Sequence, residues 1–392
     1  MKSNLKAAVV GHAWRTPLGN SLDGVLRRLL AGERAARRNP RFDATTYACT
    51  LAAAIDTEPT PSRNQRFLRR MGLLAMEAAS EALAHSGLQG NERFGLFFGY
   101  GGLRAYWNDM MPALENQNES GEDSWERGFK LFHPFWMLQH LSNNAHALTA
   151  EALSTRGEGA TFGGANGGAQ ALASAIRALH IGAIDAALVV GYDTLIEPET
   201  LVELAARGAA TTRNIIDLAS PYDQAANGFV PGEAAAAVVL QRPEDVRGFP
   251  LAYVEAANGA DGEKGDPSAS TIANVARQLA SDNDIVDGAG RAHTTLDLQE
   301  RFVIAELVGS KAPLCCIMSA TGQIGAAASL VQTIALTGLL RQQMLPPIAG
   351  LRDVVDGPLR PLNNSESITA QSAIAISTGA PGLVGVIRVT VP

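Results

Sequence analysis

The chain has 392 residues, 46% of them apolar and 18% charged, enough for a large core or for two closely packed halves. Its 32 basic and 39 acidic residues give a formal net charge of −7 with no long basic run, which excludes an electrostatic nucleic-acid footprint. No stretch approaches the ~18 consecutive apolar residues of a membrane span, and the apolar run in MKSNLKAAVVG is too short for a secretory leader, so a cytoplasmic protein is expected.

In chain order, LKAAVV at 5–10 reads as a buried strand, followed by a loop, GHAWRTPLGN. Asn20 or Ser21 is placed to cap a helix over 22–32. Residues 66–86 carry Leu68, Met71, Ala75, Ala78, Ala79 and Leu83 near helical spacing, and Gly87 ends that helix. The short basic clusters Arg37–Arg38 and Arg69–Arg70 read as a solvated face or as a docking patch for an acidic carrier. A strand at 93–102 leaves through glycines into 103–137, where Tyr106, Trp107, Met110, Phe135 and Trp136 concentrate. So many large apolar groups predict burial at a subunit interface or around a channel.

A helix near 139–154 precedes a strand at 159–162 and the turn GGANGG, after which a helix runs from 167 to 180. Such a strand-to-helix turn is where α/β enzymes mount a nucleophile, yet its middle residue is Ala165. Strands follow at 185–194 and at the end of PYDQAANGFVPGEAAAAVVL, 221–240. The rhythm then repeats: strand 250–257, helices at 270–281 and 296–308, strand CCIM at 315–318, turn SATGQIG, a long helix, and two closing strands. Cys315 and Cys316, on a strand, would point to opposite faces; with Cys49 they make an odd set of three, against a disulfide framework. The alternation predicts an α/β protein, and the matched units at 159–180 and 315–340 suggest internal duplication.

These segments resemble the β-ketoacyl synthases, the condensing enzymes of fatty-acid and polyketide assembly. The likeness rests on VVGHAWRTPLGN, on FLRRMGLLAMEAASEALAHSGL, on LPPIAGL at 345–351, and above all on PYDQAANGFVPGE, similar to the family's P-F-D-x-x-R-D-G-F-x-x-G-E. It implies a thiolase-like α/β fold of two pseudo-duplicated αβαβα halves in a five-layered core, divided as 1–248, with the loop 103–137, and 249–392. It also implies a catalytic cysteine at the turn, two histidines on separate loops, a lysine and a backbone oxyanion hole.

At each side-chain position the sequence departs. The cysteine position is Ala165; the first histidine, eight before Asp297, is Ala289; K-S-x-x-G-H becomes Met318-Ser319-Ala320-Thr321-Gly322-Gln323. The closing G-F-G-G is Gly379-Ala380-Pro381-Gly382. An alanine cannot attack a thioester, and the Gln323 amide cannot exchange a proton near neutral pH. The resemblance therefore implies a chain length factor, with the aryl polyene kind as the specific expectation: a silent homologue that pairs with an active ketosynthase, meets its acyl carrier protein through the complex, and walls the chain tunnel with Tyr106, Trp107, Met110, Phe135 and Trp136. The alternative is an atypical condensing or acyl-transfer enzyme with relocated residues, for which His293, Cys315 and Cys316 are the candidates. No G-x-G-x-x-G is present, and no cofactor or metal is expected.

Overall fold

The computed structural model describes residues 5–101, 130–132, 134–262 and 264–392. Eleven strands form one continuous sheet: β1 (Ala7–Arg15), β2 (Phe94–Tyr100), β3 (Gly159–Gly163), β4 (Ala186–Thr194), β5 (Glu233–Gln241), β6 (Ala252–Ala260), β7 (Ile285–Asp287), β8 (Pro313–Cys315), β9 (Arg360–Pro361), β10 (Ser372–Gly379) and β11 (Leu383–Thr390). Their order is β9-β8-β7-β10-β11-β6-β1-β5-β4-β2-β3.

Reading outward from the middle, the order contains the same five-strand pattern twice. β1-β5-β4-β2-β3 and β6-β11-β10-β7-β8 each pair antiparallel, antiparallel, parallel, parallel. The halves join at β1, whose residues Ala7–Val9 pair with β6 on one side, while on its other side β1 pairs with β5 from Ala8 to Arg15 across an irregularity between Val9 and Gly11. That second pairing extends the strand to Arg15, so GHAWR is strand rather than the expected loop. Ala13 and Trp14 are buried there.

The principal helices are α1 (Leu22–Leu30), α2 (Arg70–Ser86), α3 (Trp136–His140), α4 (Asn144–Leu153), α5 (Gly167–His180), α6 (Pro198–Ala206), α7 (Ala269–Ala276), α8 (Thr294–Val308), α9 (Met318–Thr321) and α10 (Ala328–Gln342). Ser21 caps α1, its hydroxyl accepting the Gly24 N–H at 3.2 Å, and Gly87 closes α2 in the left-handed region at φ 67°. α5 and α10 each contact strands of both halves, so they form a central layer. α2 lies on the outer face of the first half-sheet and α7 packs outside the second, giving five layers in all. As the central layer demands, α10 is buried on every side from Ala328 to Leu340.

Several boundaries differ from the sequence reading. α2 starts at Arg70 rather than 66, and Arg70 is no solvated charge: its Nη1 reaches the buried Glu233 carboxylate at 2.8 Å, beside Arg41 Nη2 at 2.8 Å. The expected helix at 139–154 is two helices, α3 and α4, broken at Leu141–Asn143. CCIM is not one strand. β8 ends at Cys315 and Met318 opens α9, so Cys315 and Cys316 do not alternate across a sheet; both are buried. Among the described residues no helix is long and apolar enough to cross a membrane.

Candidate functional site

The turn between β3 and α5 is built from small residues for two separate reasons. Gly164 takes φ +109°, a left-handed conformation that side chains rarely adopt, and its N–H donates to the Tyr100 carbonyl at 3.0 Å. Gly168, in the first turn of α5, faces the second half: a Cβ there would lie 2.4 Å from the Ala326 carbonyl oxygen. Asn166 ties the turn across the halves, its Nδ2 donating to Gly259 O at 3.2 Å and Val384 O at 3.1 Å. Ala165 sits at the apex, and Gly379 of the closing loop packs against its methyl so tightly that a Cβ on Gly379 would be 2.3 Å away.

A cavity of about 620 Å³ opens beside this turn. Its wall includes Ala165, Gln323, Arg291, Leu383 and the Gly379–Pro381 loop, with Asp193 and Gly101 on another side. Two of the four chemistry positions thus face one cavity. The other two stand behind the wall: Ala289 is 1% exposed and Met318 4%. Gln323 links the loops, its Nε2 donating to the carbonyls of Ala289 at 2.5 Å and Gly290 at 3.0 Å. Where two ionisable groups are expected in the family, this chain has an amide strut between two backbone carbonyls. Deleting such a strut leaves buried acceptors unmet, at a cost of about 1–3 kcal/mol.

Behind Ala289 the acidic framework persists. Glu300 Oε1 accepts from Tyr222 Oη at 2.8 Å and from the Ala289 N–H at 3.2 Å. Asp297 Oδ2 accepts the N–H groups of Tyr222 at 3.0 Å and His293 at 3.2 Å. Burial pushes the Asp297 carboxyl up to about 7, and burial also raises Glu300. The opposing positive charge comes from Arg291, which draws both carboxyls back toward ionisation. Arg291 is 4% exposed and its guanidinium donates to Leu296 O at 3.0 Å. Sequence reasoning missed this residue; the available signal was a lone arginine inside the otherwise small-residue run DGAGRA.

The residues expected at an interface or tunnel divide. Phe135 is 41% exposed and packs edge-on against Phe67 at 5.0 Å. Trp136 stacks on Phe132 at 4.9 Å and lies 4.4 Å from the His140 ring. Tyr106, Trp107 and Met110 lie outside the described residues. Around α3, Leu131, Met137, Leu138 and Leu141 are exposed as well, so among the described residues this end of the segment presents apolar side chains at the surface of the single chain. The candidates for relocated chemistry do not converge: His293 is exposed at the start of α8, while burial raises the Cys315 and Cys316 thiols well above their ordinary range. Among the described residues no cluster suits a metal ion.

Comparison with known proteins follows the same outline. The β-ketoacyl synthase N-terminal domain model matches residues 6–246. A 3-oxoacyl-[acyl-carrier-protein] synthase 2 of Coxiella burnetii is 25% identical over 380 residues, covering 90% of each chain. Two solved structures share the fold along the whole of both chains. The ishigamide ketosynthase/chain length factor superposes with a TM-score of 0.86 at 19% identity. A type II polyketide synthase acyl carrier protein in complex with its ketosynthase bound to the hexaketide gives 0.80 at 18%.

Proposed function

We propose that this chain, which belongs to the β-ketoacyl synthase family, is a chain length factor: a subunit that carries no condensation chemistry and pairs with an active ketosynthase to shape the tunnel for the growing chain. One observation carries the reading. The positions where the family resemblance calls for cysteine, histidine, lysine and histidine hold Ala165, Ala289, Met318 and Gln323, while the fold that would present them is intact. No nucleophile faces the cavity at the turn, and the amide at 323 is committed to two carbonyls. The residues of the turn that serve packing, Gly164, Asn166 and Gly168, keep demanding roles.

Two further features support a partner. Among the described residues β3 ends the sheet with ladder bonds on one side, to β2, and the segment around α3 exposes large apolar side chains. An open edge beside an apolar surface is suited to burial against another chain. The likeness to the ishigamide ketosynthase/chain length factor fits such a pairing. A carrier protein would then meet the complex through the ketosynthase, and the product would be a polyketide-type chain, with an aryl polyene as the specific expectation. In this reading Phe135 and Trp136 belong to the interface or tunnel wall, together with Tyr106, Trp107 and Met110, and the division into halves falls at 248/249.

Co-expression with a ketosynthase from the same gene neighbourhood tests the proposal. A stable heterodimer is expected, with intact-mass spectrometry showing an acyl adduct on the ketosynthase and none on this chain. An adduct on this chain, or condensing activity from it alone, would overturn the assignment.

A further inference from the structure

Resting on the reading of this chain as a tunnel-shaping subunit, we infer that Asp193 is the stop that ends the acyl chain's path inside it. Asp193 is the last residue but one of β4, is 4% exposed, and lies in the wall of two different cavities. One is the cavity of about 620 Å³ beside Ala165. The other, about 80 Å³, lies beneath α3 and the start of α4, among Leu68, Met71, Tyr100, His140, Leu141 and Tyr192. Among the described residues, Gly101 and Asp193 are the ones that the two walls share.

The carboxylate is fixed in this partition. Oδ1 accepts the Thr194 N–H at 2.8 Å and Oδ2 accepts the Ala326 N–H at 3.1 Å, which ties the end of β4 to the turn before α10. It is gripped between two glycines: a Cβ on Gly101 would come within 1.9 Å of Oδ1, and one on Gly325 within 1.9 Å of Oδ2. Neither position can carry a side chain without displacing the carboxylate, and neither glycine blocks the path by itself.

The small cavity adjoins the side of the molecule where Phe135, Met137, Leu138 and Leu141 stand exposed, so a chain delivered by the partner arrives from there. It meets an anchored carboxylate. Moving an apolar chain past it requires stripping the carboxylate of its polar partners, which is unfavourable without compensation. Beyond lies the disused cavity, large enough for a ligand but closed to this route. Asp193 therefore sets product length by keeping the old reaction chamber out of the tunnel.

The test uses the co-expressed heterodimer with its acyl carrier protein and malonyl units, reading product length by mass spectrometry. Asp193→Ser, smaller and uncharged yet still able to accept an N–H, should lengthen products by at least one extension unit. Adding Ala380→Phe, which fills the chamber on the far side, should return the length to that of the unmodified complex. Ala380→Phe alone should leave length unchanged, and this arm decides the matter even if Asp193→Ser does not fold. Shorter products from Ala380→Phe alone, or unchanged products from a folded Asp193→Ser heterodimer, overturn the stop. If the unmodified chain forms no heterodimer at all, the underlying subunit reading fails, a different outcome from either.

Discussion

The unit β3–turn–α5 in the first half and the unit β8–α9–α10 in the second have the same place in the topology and opposite surroundings. β8 is flanked on its outer side by β9, through Pro313–Arg360 and Leu314–Pro361, and its helix α10 is buried all round. β3 has no such cover among the described residues, and its residues are partly or fully exposed. α4 leans on it through His146, whose Nδ1 lies 2.9 Å from Thr161 Oγ1, and the exposed apolar residues of α3 follow alongside. The two halves thus share the frame but not the covering. A sheet edge left open beside an apolar surface carries a standing cost in water unless a second chain takes it.

The largest effect is expected at the inner end of the first unit. Gly168→Val drives a side chain into the Ala326 carbonyl and should cost about 3 kcal/mol, whereas Gly163→Ala at the exposed end of β3 should stay within about 1 kcal/mol. Denaturant unfolding of the two variants measures the difference. Equal losses would mean that the turn is not held by the second half. A smaller effect separates folding from pairing. Leu138→Asp on the open side should leave the melting temperature of the isolated chain unchanged while weakening the heterodimer about tenfold or more, as titration of the two subunits would show. A variant that pairs normally would remove α3 from the interface.

A third test, of pH dependence, belongs to the covered half. Asp287 ends β7, its Oδ1 accepts the Ile317 N–H at 2.8 Å, and burial pushes its carboxyl from the ordinary 3.8 up to about 7. Between those values the folded state holds a proton that the unfolded chain has released. Stability should therefore fall as pH rises through that window and level off above it. Asp287→Asn should flatten the fall in urea titrations at pH 5 and pH 8, though not abolish it, because Asp297 is raised to about 7 by the same cause. A slope unchanged in Asp287→Asn would show that Asp287 is ionised throughout.

Much of this molecule is legible in its sequence because short-range chemistry decides it. Ser21 caps α1, Gly87 ends α2, and α5 begins at Gly167 as the small-residue turn predicts. The blank positions at 165, 289, 318 and 323 follow from residue identity, since no environment makes an alanine nucleophilic. Other features required partners far away in the chain. The extension of β1 to Arg15 depends on β5, and the withdrawal of Arg70 from solvent depends on Glu233. Arg291 gains its meaning from Asp297 and Glu300 across a packed wall. Asp193 read as an ordinary strand end until Gly101 and Gly325, from two other segments, closed on its carboxylate. Sequence by itself determined which side chains stand at Ala165, Ala289, Met318 and Gln323, because residue identity is a local fact. Only the tertiary structure decided where its cavities stop and which edge stays open, because those depend on long-range packing between halves of one duplicated frame.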